Sequence, residues 1–350
     1  MAHELTIRAN GRADMAYVGE TPWHGLGQEV TKGASIGVWR RESGLDWEAK
    51  EATVHFIPDR PAGGSALQDR GCHLAMPERK VIYRSDTQRP IGDVSSKYKL
   101  VQPGEMLEFF RDLTESGGWH IHTAGSLRGG AKIWAMASSE ELSGRVGKSD
   151  RVLGNLLLAT SMDGSMRTTA KLTAVRVVCA NTLALALNPG LDEPSVTVSH
   201  RSSFNADEVK RSLGVSVPAF EAFMAQAQAL SETGIGLDEA RGVLRDLFGQ
   251  PKATASGADA EFHGMMAQFG VSSGPLREQR SVDRAMDLFS GAGLGSSLPG
   301  SAGTRWGLLN AVTQHIDYER GWTADTRMDS AWFGKGDEIK RAALRILEVA

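Results

Sequence analysis

Trp119-His120-Ile121-His122-Thr123, then Gly125-Ser126-Leu127-Arg128-Gly129-Gly130, then Ala131-Lys132-Ile133-Trp134-Ala135-Met136-Ala137, is the stretch that decides the fold. Its first and last parts carry apolar side chains at every second position, the period of a strand. The glycine-rich middle predicts the turn of a β-hairpin. The pattern repeats downstream, with a strand over Arg151 to Thr160, a turn at Asp163-Gly164 and a returning strand over Met166 to Lys171. Val175-Arg176-Val177-Val178 is β-branched, and Cys179 to Leu187 reads as helical.

Upstream, Ser35 to Ser43 predicts a short helix, and Leu45 to Ala49 starts a strand. Strands are expected at Thr53–Ile57, Lys80–Arg84, Ile91–Val94 and Tyr98–Val101, with a loop over Pro58 to Asp69. The period then changes. From Pro103, the residues Met106, Leu107, Phe109, Phe110 and Leu113 fall at helical spacing. Gly117-Gly118 stops that helix. Beyond about residue 200 the chain reads as helical: Asn205–Leu213, Val217–Ser231, Leu237–Phe248, Thr304–Arg320 and Asp337–Val349. Ser290 to Gly303 is rich in glycine and serine and reads as a flexible loop. The fold class expected is therefore α+β. A β-rich antiparallel half with a packed helix, 1–200, precedes a mainly helical half, 201–350.

The length of 350 residues suits two domains at roughly 150 residues each. The balance of 39 basic and 42 acidic residues gives a net charge of −3, which excludes a basic coat over the whole surface. Two cysteines exclude a disulfide framework and a four-cysteine zinc site. Apolar runs such as Leu183 to Leu187 are too short to cross a bilayer. The first 20 residues lack the apolar core of a secretory signal. The expectation is a cytoplasmic protein without membrane contact.

Motif tests remove several chemistries. Gly147-Lys148-Ser149 lacks the glycine that a phosphate-binding loop needs five residues upstream, where Leu142 stands. Gly291, Gly293 and Gly295 lack the preceding strand of a dinucleotide site. No Gly-x-Ser-x-Gly elbow or His-Glu-x-x-His helix occurs. His120 and His122 lie two apart on one strand, so both imidazoles point to one face, with Cys72-His73 elsewhere. That pair carries the alternative of a metal-dependent enzyme. Cys179, where a strand feeds a helix, has the position of a thiol nucleophile and the apolar neighbours of an inert one. Trp23 reads as a packing anchor.

Local charge is the stronger signal. Between Arg128 and Arg176 stand Arg128, Lys132, Arg145, Lys148, Arg151, Arg167, Lys171 and Arg176, against Glu140, Glu141, Asp150 and Asp163. Cations beside serine, threonine and glycine are what a phosphate backbone needs. Trp119 and Trp134 offer stacking faces for unpaired bases. The same pattern also describes a solvated sheet face over two core tryptophans.

The chain resembles the phage/plasmid-like proteins, a family of unknown function found in bacteriophages, plasmids and their hosts. The resemblance rests on Pro22-Trp23-His24-Gly25-Leu26-Gly27, on Gly125 to Gly130 with Trp134, and on Ser161-Met162-Asp163-Gly164-Ser165. It continues through Val175 to Leu183, Trp306 to Thr313 and Ser330 to Gly336. The family's usual Ser-His-Asp-Gly-Ser has Met162 here, so no histidine role carries over. The family's setting implies DNA metabolism on mobile elements. In outline, a β-rich half with a basic face is also similar to phage single-strand annealing proteins, which pair complements without ATP. The leading expectation is a single-stranded DNA-binding protein acting in annealing or recombination. Its phosphate contacts would be Arg128, Lys132, Arg151, Arg167, Lys171 and Arg176, with Trp134 or Trp119 stacking. It would be a homo-oligomer without a cofactor, and a host replication or recombination protein is a further partner. The remaining alternative is an accessory protein that binds a host protein through its helical half.

Overall fold

The computed structural model describes residues 5, 7–8, 10–19, 26–57, 74–115, 118–176, 181–184, 195–213, 217–249, 274–320, 330–332 and 334–349. Cys72, His73, Cys179, Trp23 and the 58–69 loop lie outside them.

Eleven strands are described: β1 (Met15–Tyr17), β2 (Gln28–Glu29), β3 (Ala49–Phe56), β4 (Leu74–Arg84), β5 (Pro90–Ser95), β6 (Trp119–Leu127), β7 (Lys132–Val146), β8 (Asp150–Ser161), β9 (Thr168–Arg176), β10 (Asn181–Ala184) and β11 (Ser195–Val198). The larger sheet has the order β10-β9-β8-β7-β6-β1-β2, with β11 also paired to β9. Only β1–β2 among its pairings is parallel. β3, β4 and β5 form a second, antiparallel sheet. The described helices are α1 (Ile36–Glu42), α2 (Pro103–Glu108), α3 (Arg111–Glu115), α4 (Ala206–Leu213), α5 (Val217–Glu232), α6 (Leu237–Phe248), α7 (Gly274–Asp287), α8 (Arg305–Gln314) and α9 (Lys335–Val349). The α+β class is as expected: strands fill the first half and most helices the second.

The hairpin of β6 and β7 forms where the sequence places it, but both strands run further than expected. Their alternation sorts side chains onto two covered faces. Ile133, Ala135 and Ala137 join Leu156, Leu158, Ala170 and Leu172 in the main core. Trp134 and Met136 join Leu157, Ala159, Leu127 and Met15 in a smaller cluster on the other face. Burial on both sides explains the unbroken apolar run of β8. Gly125 stands opposite Trp134 because a Cβ there would collide with the indole ring.

Local signals set the helix starts. Gln102 and Glu105 form a capping box around Pro103 at the start of α2. The Asn205 side chain accepts from the Asp207 and Glu208 amides at 3.1 Å before α4. Thr304 accepts from the Gly307 amide at 3.1 Å before α8.

The main buried cluster includes residues from Ala16 to Leu347, so the helical half packs onto the sheet through a shared core. Phe220 and Phe223 of α5 belong to the same buried cluster as Leu142, Val146 and Val152 of the sheet, and Trp306 Nε1 donates to the buried Asp150 carboxylate at 2.8 Å. Residues 290–303, glycine-rich as they are, form a succession of hydrogen-bonded turns in which Ser301 is buried.

Two local expectations are corrected. Asn181–Ala184 is not helical but a strand paired with Thr173–Arg176 of β9. A short Leu/Ala run has no period long enough to tell buried strand from helix. Tyr98–Val101 is irregular rather than β. Its backbone polar groups bond elsewhere: the Lys99 amide donates to His200 O at 2.6 Å, and Tyr98 O accepts from Lys80 Nζ at 2.8 Å.

Candidate nucleic-acid interface

Antiparallel pairing sorts the expected phosphate contacts by position along the sheet. Arg128 lies in the turn after β6, Lys132 pairs with Ser161, and Arg167 lies in the turn after β8. These three share one end. Arg145 and Arg151 stand opposite each other at the other end, with Lys148 in the turn beyond and Arg176 paired to Val152. At ~3.3 Å per residue, β8 separates the two groups by about 33 Å.

The middle of the sheet offers neither of its two candidates to solvent. Trp134 is 3% exposed, with its ring 6.1 Å from that of Trp332. Lys171 is 6% exposed and donates to Asp337 Oδ2 at 2.8 Å and to Trp332 O at 2.6 Å. Burial lowers the pKa of its ammonium from the ordinary lysine value, against the pull of Asp337. Arg151 is ion-paired with Glu140, which also meets Lys32. Trp119 is buried. The side chain of Arg176 lies outside the described residues.

At the Arg167 end, three segments meet around His200. Its Nδ1 lies 2.9 Å from Lys99 O and its Nε2 3.1 Å from Met166 O. Its ring stacks on Tyr98, with centroids 4.2 Å apart and planes at 18°. The Tyr98 hydroxyl donates to Ser161 O at 3.0 Å, and burial raises its pKa above the usual tyrosine value. This junction sets the Lys99 and Met166 carbonyls against the His200 ring, so that the segments carrying Lys97, Lys99, Arg167 and Arg201 come together. All four are exposed, and among the described residues none of the four is in an ion pair. Asp163 is the carboxylate of the adjoining turn, where its Oδ1 accepts from the Ser165 amide at 2.9 Å. Met162, between Ser161 and Asp163, is wholly buried in the core.

Sequence reading missed Lys97, Lys99 and Arg201. The basic-aromatic-basic triplet Lys97-Tyr98-Lys99 is the local signal that stood for two of them. Nothing local ties Arg201 to that triplet.

The paired histidines part at an irregularity in β6. His120 pairs with Ser138, whereas His122 falls where the register shifts between Ile121 and Thr123. His120 lines a small cleft of about 220 Å³ with Ser35, Trp39, Thr114 and Arg111, the last already bonded to Glu108 and Glu115. Among the described residues no three His, Cys, Asp or Glu side chains cluster as metal ligands. His122 Nε2 is sealed from solvent without a hydrogen-bond partner, and burial pushes its imidazole pKa down to about 4. The folded state therefore resists the proton that the unfolded chain takes up near pH ~6.5. This contribution to stability is complete above that pH and is lost as the pH falls toward 4. Denaturant unfolding at pH 7 and at about pH 4.5 is expected to show His122→Leu losing about 2–3 kcal/mol less than the native chain. Equal losses would show that another group governs the acid limb.

No helix among the described residues is long and apolar enough to cross a membrane. No curated protein and no solved structure matches the chain. A family model does, over residues 90–333, which takes in β5, the larger sheet from β6 to β11, the His200 junction and α4 to α8. The chain thus belongs to the family described as a domain of unknown function, DUF932.

Proposed function

We propose that this chain binds single-stranded DNA through the cations gathered at the Arg167 end of the larger sheet. The observation that carries the reading is the meeting of Lys97, Lys99, Arg167 and Arg201 around His200, exposed and outside any ion pair among the described residues, in a chain of net charge −3. Arg128 and Lys132, at the same end of the sheet, extend the track. A local patch on an acidic chain is kept for an anion that repeats, and a phosphate backbone repeats. In this reading the protein serves a phage or plasmid in annealing or recombination without ATP, as a homo-oligomer along one strand. A host replication or recombination protein is a further partner.

Four phosphate contacts give a salt slope near −3 for a single strand, so a fourfold rise in salt is expected to weaken binding about fiftyfold. Titration of a labelled oligodeoxynucleotide measures this. The double change Lys99→Glu, Arg167→Glu is expected to weaken binding at least about a hundredfold while circular dichroism stays unchanged. Affinity that is flat in salt, or untouched by the double change, refutes the patch.

A second reading has its own observation. Phe56, Ile57, Leu74 and Met76 are 49%, 73%, 46% and 43% exposed at one end of the β3–β4 pair. Apolar side chains gathered on a surface mark a protein contact. Recovery of a host protein in the presence of nuclease, lost on Phe56→Ser with Met76→Ser, supports that reading.

A further inference from the structure

β3 is an edge of the smaller sheet, and among the described residues only β4 pairs with it. The Ala49 amide donates to Gln102 Oε1 at 2.9 Å, and Ala49 O accepts from Gln102 Nε2 at 3.1 Å, both away from β4. By the alternation of an antiparallel ladder, Glu51 and Thr53 turn their backbone groups the same way, toward solvent. Thr53 O keeps a lone pair beyond the His55 ring, whose Nδ1 lies 3.1 Å away. Sheet edges are ordinarily guarded by proline, glycine or charge. The opposite edge, β5, opens on Pro90 and carries Gly92 and Asp93. On β3 the charged Lys50 and Glu51 are held by Glu48 and Lys80 of their own chain, and Ala52 to Phe56 contains no proline, glycine, lysine or acid. The register shift after Thr53 inserts Pro77-Glu78-Arg79 on the β4 side, so β3 itself runs unbroken. Beyond it Val54 faces Met76 and Phe56 faces Leu74, which gathers four apolar side chains on one face of a two-stranded ribbon. Such a ribbon is marginal alone in water.

We propose that a second copy of this chain completes the edge, joining two three-stranded sheets into one through antiparallel β3 strands about a two-fold axis at Thr53. β3 is complementary to itself in that register. Thr53 meets Thr53 of the second copy, and their outward N–H and C=O groups exchange hydrogen bonds. Glu51 stands opposite His55 of the second copy, and this acid–imidazole pair occurs twice. Ala52 stands opposite Val54, and Lys50 lays its apolar stem beside Phe56. Within each copy Ala52 faces Val81 and Lys50 faces Tyr83. The rows across the joined sheet therefore run Met76-Val54-Ala52-Val81 and Leu74-Phe56-Lys50-Tyr83, so the exposed apolar residues gain apolar neighbours. Both copies use the same surface, so the assembly closes as a dimer. It gives the expected homo-oligomer a contact and needs no DNA.

Sedimentation of the full chain is expected to show a monomer–dimer equilibrium with a dissociation constant on the order of 10 μM. Thr53→Pro removes an outward N–H without touching a bond to β4, and is expected to weaken the dimer at least about tenfold. Glu51→Lys and His55→Glu are each expected to weaken it by about threefold or more, and an equimolar mixture to restore it, because each variant supplies the charge that the other lacks. Circular dichroism checks that the variants fold. Hydrogen exchange of the native chain needs no variant: the Glu51 and Thr53 amides are expected to slow at least about threefold as the dimer forms. A chain that stays monomeric to about 200 μM overturns the dimer. Capture of a host protein through Phe56 and Met76 by that monomer would assign the patch to that partner. A dimer whose Glu51 and Thr53 amides exchange as fast as the monomer's, or a mixture that does not recover, also overturns it. A monomer that binds an oligodeoxynucleotide refutes the dimer and leaves the DNA reading standing, whereas a dimer that binds none does the reverse.

Discussion

Asp14→Ala is expected to destabilise the fold by about 3–5 kcal/mol, because it takes the buried carboxylate from two guanidinium groups, leaving Arg84 with Asp86 and Arg8 with Asp46. Asp14 is fully buried. Its carboxylate accepts from Arg8 Nε at 2.5 Å, from Arg84 Nη1 at 2.9 Å and from Ser126 Oγ at 3.2 Å. Arg84 is itself 3% exposed, lies 4.5 Å over the Trp47 ring, and uses its other two nitrogens on Asp86 at 2.9 and 2.8 Å. Arg84 belongs to β4 and Ser126 to β6, so this one carboxylate staples the smaller sheet to the larger. Removing it leaves Arg84 buried with half of its compensation, and a desolvated cation costs far more unpaired than the pair contributes when intact. Asp14→Asn keeps the shape and one acceptor but turns an amide N–H toward a guanidinium, so it is expected to recover less than half of the loss. Urea unfolding measures both variants. A cost below about 1 kcal/mol for Asp14→Ala would mean that the two arginines find other partners. The staple also reaches the turn after β6, since Arg84 Nη1 lies 3.5 Å from Gly129 O, beside Arg128.

The parts of the fold that were legible in the sequence are those in which one strand's own alternation decides its placement. The β6–β7 hairpin follows from Ile133, Ala135 and Ala137 alternating with Trp134 and Met136, and the β8 run follows from Leu156 to Ala159. The candidate site was much less legible. Lys171 alternates with Ala170 and Leu172, which is the pattern of a strand with one wet face. That face is covered by Trp332 and α9, from a segment more than 150 residues away, and no local period reports such a cover. The His200 junction was invisible for the complementary reason. Lys99, Arg167 and Arg201 sit in irregular segments that carry no period, and those segments are joined by the Lys99 amide on His200 O, by the His200 ring on two carbonyls and by its stack on Tyr98. Arg128 and Arg167 were legible as hairpin tips, because a turn between two recognised strands must lie at an end of the sheet.

Lys171→Ala and Arg167→Ala are expected to give opposite results, although the two residues lie four apart and are chemically alike. Lys171→Ala removes the donor of two buried hydrogen bonds and leaves Asp337 with Arg341, whose Nε lies 3.3 Å away, and Trp332 O without that ammonium. The expected cost is about 3 kcal/mol of folding free energy, read by urea unfolding. Once corrected for the folded fraction, its affinity for an oligodeoxynucleotide is expected to change by less than about twofold, since the side chain never reaches solvent. Lys171→Met, of similar length and apolar, still loses the pair with Asp337 and is expected to be destabilised nearly as much. Arg167→Ala touches no buried group, so stability is expected to stay within about 0.5 kcal/mol while affinity falls about five- to tenfold and the salt slope shrinks by roughly one contact. If Lys171→Ala instead weakened binding in the folded protein as much as Arg167→Ala did, the covered face would have to open to meet DNA, and the binding surface would be the middle of the sheet rather than its end.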